Sequence, residues 1–507
     1  MRVLSPNSDW RHIEQSEGPG NSGPFFLVKA QVDSVGSTIH SDVMSNGKSG
    51  TMSFAELENR ALGLEQEHRL EEARDAFDAG LQMWPASQSM AEGRARIALR
   101  LREDGAADHC ARALAFRDDD PELQAQMLLT AAGEIGREAI PLFKSFLDRH
   151  PENVLVQEVL ADLQAQAGAG EGFLDAYTAA LASQPQNKAL LMSYWETLSR
   201  SRRYSQAIES MDANRHLFEN DRKFAIQEIS LLNYLGLSGR ASSLLETLDE
   251  QPDAQLARGM NRLQLGKPDE AAKFLESVVE QQADNFEAWS LLEIAWRIVG
   301  DARHKWLIGQ PPLYGACQID LGAEQLAEIA EMLRGMHHAS AQPIGQSVRG
   351  GTQTPGQLFE RTDPEMKMLT AALAFEIRQF VRALPPADPG HPLLKHRDMG
   401  MAFGPSWSVR FTGSGHHAAH FHPGGILSSA CYICVPETLA DEQEKPGWLE
   451  IGRPPVELGL DLEPLATFEP RPGRLILFPS LLLHGTRSFS GGERMSVAFD
   501  LVPVPMN

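Results

Sequence analysis

Cysteine is scarce in this chain: four residues in 507, at Cys110, Cys317, Cys431 and Cys434. So few, spread so widely, cannot staple a fold of this size. That excludes a disulfide scaffold and fits a reducing, cytoplasmic compartment. Long apolar runs are missing too. No stretch reaches the roughly 20 residues that span a bilayer, so no membrane segment is expected. The N-terminus shows no basic start followed by an apolar core, so no secretory signal is expected. Blocks of lysine and arginine are also lacking. With 46 basic and 68 acidic side chains the formal net charge is −22, and a field of that sign does not attract nucleic acid.

What is present is ordinary for a globular protein, 42% hydrophobic and 22% charged. The length predicts two or three domains. Residues 1–51 are rich in Ser, Gly and Asn and hold no sustained period. They are expected to form a disordered tail, in which only 24–32 (PFFLVKAQV) reads as a strand. Met44 and Met52 precede the first regular helix, so the segment could also be an over-extended start.

From residue 52 to about 305 the sequence turns helical and self-similar at a period near 34. Ala73, Phe77, Gly80 and Pro85 follow one another at offsets of 4, 3 and 5. Pro121, Pro151 and Pro185 continue the series at intervals of 36, 30 and 34. Phe173, Ala176, Tyr177 and Ala180 repeat the pattern, and Ala207 with Met211, Ala241 with Leu245, and Ala271 with Leu275 suggest later units. Small residues let two helices of a hairpin approach, a large one fills the gap, and proline is expected to stop the second helix. The series resembles the tetratricopeptide repeat. A solenoid of this kind offers a groove for an extended peptide or a protein partner. It could equally serve as a platform for a homodimer.

Residues 306–395 read as a helical lead-in, with amphipathic helices at 324–338 and 364–384 around the polar loop QSVRGGTQT. Residues 396–507 change period. WSVRF, ILSSACYICV, RLILFPS and RMSVAFDLV are short β-type runs separated by Gly/Pro turns. Such spacing predicts an antiparallel double-stranded β-helix, or jelly roll. The expected fold class is therefore multidomain α + β, an all-α solenoid followed by a jelly roll. Within it, Cys431 and Cys434 are three apart on one strand, so they face opposite sides and read as core packing rather than a metal pair.

The jelly roll carries the chemistry. His420 and His422 form an H-x-H pair, and His484 follows about sixty residues later. Residues two apart on a strand share a face, so three imidazoles could converge on one metal ion with positions left open for reactants. The usual oxygenase triad includes a carboxylate. Here the site is either three histidines or is completed by an acid from elsewhere, such as Asp398 or Glu450. His416 and His417 read as supporting or entrance residues. Ten residues after His484 comes Arg494, with Ser496 two further on. A forked guanidinium and a hydroxyl on one strand face can grip a carboxylate. Tyr432 and Ser428, on the adjoining strand, could add hydrogen bonds to it. Arg410 could point into the barrel, and Gln346, Arg349 and Thr352 could cap its mouth.

These segments, in order QSVRGGTQT, WSVRF, HFHPGGILSSACY, GWLEIG, PGRLILFPSLLLHGT and ERMSVAFD, resemble the 2-oxoglutarate/Fe(II)-dependent dioxygenase superfamily over about residues 340–505. They resemble most a bacterial group often fused to tetratricopeptide repeats, in which the short motif is itself H-x-H. The resemblance implies Fe(II) on His420, His422 and His484, and 2-oxoglutarate on Arg494 and Ser496. It also implies oxidative decarboxylation to succinate coupled to substrate hydroxylation, with ascorbate as a reductant. A peptide or protein held by the repeats is the expected substrate. Two other functions compete: a non-catalytic interaction protein with a metal-binding sensor domain, and a cupin-like three-histidine dioxygenase that does not use 2-oxoglutarate.

Overall fold

The computed structural model describes residues 3–4 and 52–505, apart from 102, 118–119, 355 and 441–442. The proposed tail and its 24–32 strand therefore lie outside the described residues, except that Val3–Leu4 pairs in parallel with Met401 and Ala402. The chain divides into two compact units, one of Phe25–Leu191 and one of Met192–Asn507 with Met1–Pro24.

The first unit is helical. Its opening helix, Phe54–Gln66, is started by a capping box in which Ser53 and Glu56 satisfy each other's free amide groups. Paired helices follow, among them Leu70–Met83 with Gln88–Leu101. Their packing is the small-against-large scheme expected of the repeats. A Cβ on Gly93 would stand 2.2 Å from the Phe77 ring, so only glycine admits that ring. The prolines divide into two roles. Pro85, Pro151 and Pro185 follow the ends of helices, whereas Pro121 opens Pro121–Ile135. The expected stop signal is there a start signal. A first-turn N–H has no intrahelical partner, so proline loses nothing at that position.

In the second unit the helical hairpins continue to Ala302–Ile308 and share one hydrophobic core with the sheets that follow. Helix Phe286–Val299 is buried on most of its surface, including Trp289 and Trp296. Ser290 Oγ donates to the carbonyl of Leu481, and Arg297 donates to that of Gly452 at 2.7 Å. Thus the last repeat braces the turn that precedes His484.

The strands, in chain order, are β1 (Val3–Leu4), β2 (Gly315–Gln318), β3 (Val348–Arg349), β4 (Thr352–Gln353), β5 (Gly400–Phe411), β6 (Ser414–His417) and β7 (Leu427–Cys434). Then come β8 (Leu449–Ile451), β9 (Ala466–Phe468), β10 (Arg474–Pro479), β11 (His484–Thr486), β12 (Phe489–Ser490) and β13 (Arg494–Val504). The large sheet runs β1-β5-β13-β7-β10-β2, with β4 also on β5. Two small sheets, β11-β8-β9 and β12-β6-β3, complete the jelly roll. Helix Pro364–Ala383 lays Met366, Leu369, Leu373, Ile377 and Val381 into the core, one apolar face at helical spacing. Cys431 is buried and Cys434 half-buried, both as free thiols. Among the described residues no helix is long and apolar enough to cross a membrane.

Candidate metal and carboxylate site

His420 and His422 lie between β6 and β7, in extended chain rather than in a strand. Their positions come from backbone pairing with the segment around β11. His420 exchanges both hydrogen bonds with His484, at 3.0 and 2.8 Å, and the His422 amide donates to Ser480 O at 3.0 Å. The expected strand geometry is thus replaced by an isolated bridge, which still brings the H-x-H pair against the third histidine.

The three rings offer ligand atoms that all lie within 4.8 Å of one another. Their tautomers follow from their neighbours. His420 Nδ1 faces Ala418 O and His484 Nδ1 faces Leu482 O, each at 2.9 Å. A carbonyl only accepts, so both Nδ1 atoms carry the hydrogen and both Nε2 atoms are bare. His422 Nδ1 donates to Asp500 Oδ1 at 2.6 Å. The Nε2 atoms of His420 and His422 face each other at 3.1 Å, close enough to share one cation. Burial and the neighbouring imidazoles push His420 down to about 3 and His484 well below the usual histidine range. Those two rings are therefore neutral and ready to ligate.

Asp500 is the acid that sequence spacing did not single out. It is 4% exposed, opposite Ser428 in the β13–β7 register. Gly425 makes room for it, since a Cβ there would stand 2.6 Å from the Asp500 Cβ. Ser428 Oγ lies 2.7 Å from Asp500 Oδ1, 3.0 Å from His422 Nδ1 and 2.8 Å from Ser480 Oγ. Ser428, expected beside a bound carboxylate, is thus committed to the support of His422. The two acids considered as ligands are engaged elsewhere. Glu450 pairs with Arg453 and Arg487, and Asp398 pairs with Arg397 at the surface. The only sequence signal for Asp500 was its polar charge inside the apolar run MSVAFDLV.

A buried carboxylate on the far nitrogen of a ligating histidine fixes the ring and raises its basicity, and losing it typically costs 10–100-fold in metal affinity. Asp500→Ala is therefore expected to weaken Co(II) binding by about that factor, with Asp500→Asn, which keeps an acceptor, losing less. Competition titration against a chelator measures both. Wild-type affinity in Asp500→Ala would remove Asp500 from this role.

Arg494 occupies the other half of the site. It is 2% exposed, and its Nε and Nη1 find no hydrogen-bond partner among the described residues. Its remaining contact is a long one, Nη2 to Tyr432 Oη at 3.4 Å. The rings of Tyr432, Phe489 and Phe411 surround it, with centroids 5.2, 5.5 and 5.7 Å from Cζ. A buried guanidinium without a counter-ion costs several kcal/mol, so this pocket fits a carboxylate. Ser496, 7% exposed, lies two residues on, on the same strand face. The alternation also settles Arg410. It lies opposite Met495 and pairs with Glu493, which also binds Arg334, so it faces away from Arg494 and out of the barrel. His417 links the two halves. Its ring stacks on His420 at 6.3 Å, and the Arg494 charge together with burial holds it well below the usual histidine range. Thr352, expected at the mouth, is tied to His337 at 2.8 Å.

Residues 405–500 match the family model described as "Putative 2OG-Fe(II) oxygenase", and 131–188 match that of the tetratricopeptide repeat. The first match spans all three histidines, Arg494, Ser496 and Asp500. No curated protein matches the sequence significantly. Among solved structures, a prolyl-4-hydroxylase from Pseudomonas putida is 15% identical, covering 38% of this chain and 93% of that one, TM-score 0.27. HygX from Streptomyces hygroscopicus, with nickel and 2-oxoglutarate bound, is 12% identical over 40% of this chain and 87% of its own, TM-score 0.28. A tetratricopeptide repeat protein from Parabacteroides merdae is 14% identical over 48% and 98%, TM-score 0.28.

Proposed function

We propose that this protein is an Fe(II)- and 2-oxoglutarate-dependent dioxygenase, a cytoplasmic hydroxylase of a peptide or protein segment presented by its helical repeats. The observation that carries the reading is the pairing of two incomplete sites. Three imidazoles offer ligand atoms at one place, and a buried arginine has two nitrogens without a partner among the described residues.

The residues divide the work. His420, His422 and His484 would hold the metal, with Asp500 keeping His422 in the ligating tautomer. Arg494 would hold the distal carboxylate, with Tyr432 and Ser496 as hydroxyl partners. With both groups bound, such a site would supply oxidative decarboxylation of the keto acid to succinate and carbon dioxide with dioxygen as the oxidant, one oxygen atom entering succinate and the other a substrate C–H bond. The rings of Phe411, Phe489 and Tyr432 keep water from the guanidinium, which strengthens its grip on an anion. Ascorbate would serve as reductant. Arg494 also weighs against a three-histidine dioxygenase that dispenses with 2-oxoglutarate, because such an enzyme leaves this charge unpaired.

The direct test is succinate formation by the full-length protein. Production that requires both Fe(II) and 2-oxoglutarate is the expected result. Iron binding without succinate, in the presence of peptide mixtures, would favour the sensor reading instead.

A further inference from the structure

Outside the metal and carboxylate site, one pair of polar side chains lacks a side-chain partner among the described residues. Arg349 and His416 are cross-strand neighbours in the β3–β6 pair. Side chains directly opposite in such a pair share a face. Val348 and His417, the alternate residues, take the inner face, where Val348 is fully buried and His417 meets Phe411. Arg349 and His416 therefore take the other face, four residues before His420 in the chain.

That face looks toward the turn between helices Lys188–Arg200 and Tyr204–Asn214. The loop before β3 touches that turn: a Cβ on Gly345 would stand 3.2 Å from the Arg200 Nε. Arg202, in the same turn, pairs with Glu457. Its charge adds to burial in holding Arg349 below its ordinary value, and Arg349 and Arg202 together act on His416 in the same direction after burial. Arg349 spends Nη1 on two backbone carbonyls, those of Gln346 and Val348. Its Nε and Nη2 have no acceptor among the described residues, and His416 has no hydrogen bond there. Beside them, Tyr204 stacks on Tyr234 at 5.1 Å and 11°.

We propose that this crevice is a substrate subsite that binds a carboxylate side chain of a peptide beside the residue to be oxidised. Arg202 is paired with Glu457, whereas Arg349 has no carboxylate partner among the described residues. His416 is neutral and adds a hydrogen bond. The tyrosine pair offers a flat wall for the peptide, and a wall beside a cation matches a peptide better than a small free acid. The subsite adjoins the metal site through the chain, since His417, next to His416, stacks its ring on His420. The proposal rests on the oxygenase reading for what happens to the bound peptide, but not for the binding itself.

The experiment therefore reads binding and turnover separately. Full-length protein is incubated on an array of synthetic peptides in which one position is Asp, Glu, Asn, Gln or Lys. The same peptides are then scored for stimulated succinate formation. Wild type is expected to bind Asp or Glu peptides about tenfold or more tightly than their Asn or Gln counterparts. Arg349→Met should erase that difference, and Arg349→Glu should move the preference to Lys. Melting curves check that both variants are folded, and either folded variant tests the proposal without the other. Equal binding of Asp and Asn peptides by wild type overturns the proposal. So does an acidic preference that survives in Arg349→Met, or free glutarate competing as well as any peptide. Acidic preference without succinate would sink the oxygenase reading and leave the subsite standing. Succinate without acidic preference would do the reverse.

Discussion

Arg494→Met is expected to abolish 2-oxoglutarate binding while leaving metal binding in place. Removing one partner of a buried, hydrogen-bonded charge pair costs about 3–5 kcal/mol, which corresponds to a roughly 150- to 5,000-fold weaker ligand. The measurement is an anaerobic titration of the Fe(II)-loaded protein, following the weak visible band of a chelated keto acid. Wild type should develop the band and the variant should not. The variant carries a second signature. Without 2-oxoglutarate, the wild-type guanidinium is buried among three rings with two nitrogens unpaired. Methionine fills similar volume and removes that uncompensated charge. The ligand-free variant should therefore melt no lower than wild type. In the presence of 2-oxoglutarate the order should reverse, because a ligand at 100 times its Kd stabilises only the form that binds it, by about 2.7 kcal/mol. A variant that binds 2-oxoglutarate like wild type would place the cosubstrate elsewhere.

The second large effect is expected at His484. His484→Ala leaves two imidazoles where three were within 4.8 Å, and Co(II) or Fe(II) affinity should fall by more than the roughly 10–100-fold of a lost support residue. Succinate formation should vanish with it. The pH dependence of the metal-free protein gives an independent reading. His420 is depressed from 6.5 to about 3, so the unfolded chain binds its proton more readily than the folded one. Stability from such a group is present above the unfolded value and is lost as pH falls toward the folded one. Metal-free wild type should lose stability between about pH 6.5 and 3, and His420→Ala should flatten that slope. An unchanged slope would mean that the buried imidazoles are not the groups that titrate.

The parts of this protein that depend on local order were legible in the chain. Hydrophobic spacing near 3.6 and 2 marks helices and strands because each is amphipathic on its own. Small residues facing large ones mark the repeats for the same reason, as Phe77 against Gly93 shows. His420, His422, His484 and Arg494 stood out as candidates because metal and carboxylate chemistry restricts residue types and spacings, and folding brings the three rings together and buries the arginine. Proline was ambiguous in isolation. Pro121 begins a helix where Pro85 follows one, and only the surrounding hydrogen bonds separate the two.

Other features come from groups that tertiary folding brings together across long stretches of chain. Asp500 reaches His422 across 78 residues because β13 and β7 are neighbours and Gly425 leaves space. Ser428 shares that network and so leaves the carboxylate pocket it was expected to join. Arg410 faces outward because of strand register, with Glu493 waiting there. Arg349 and His416 meet because two short strands pair, and neither carries a motif. A residue type can announce its own chemistry in a sequence. The partner that completes it, or the missing partner that calls for a ligand, is set by sheet register and packing between distant segments.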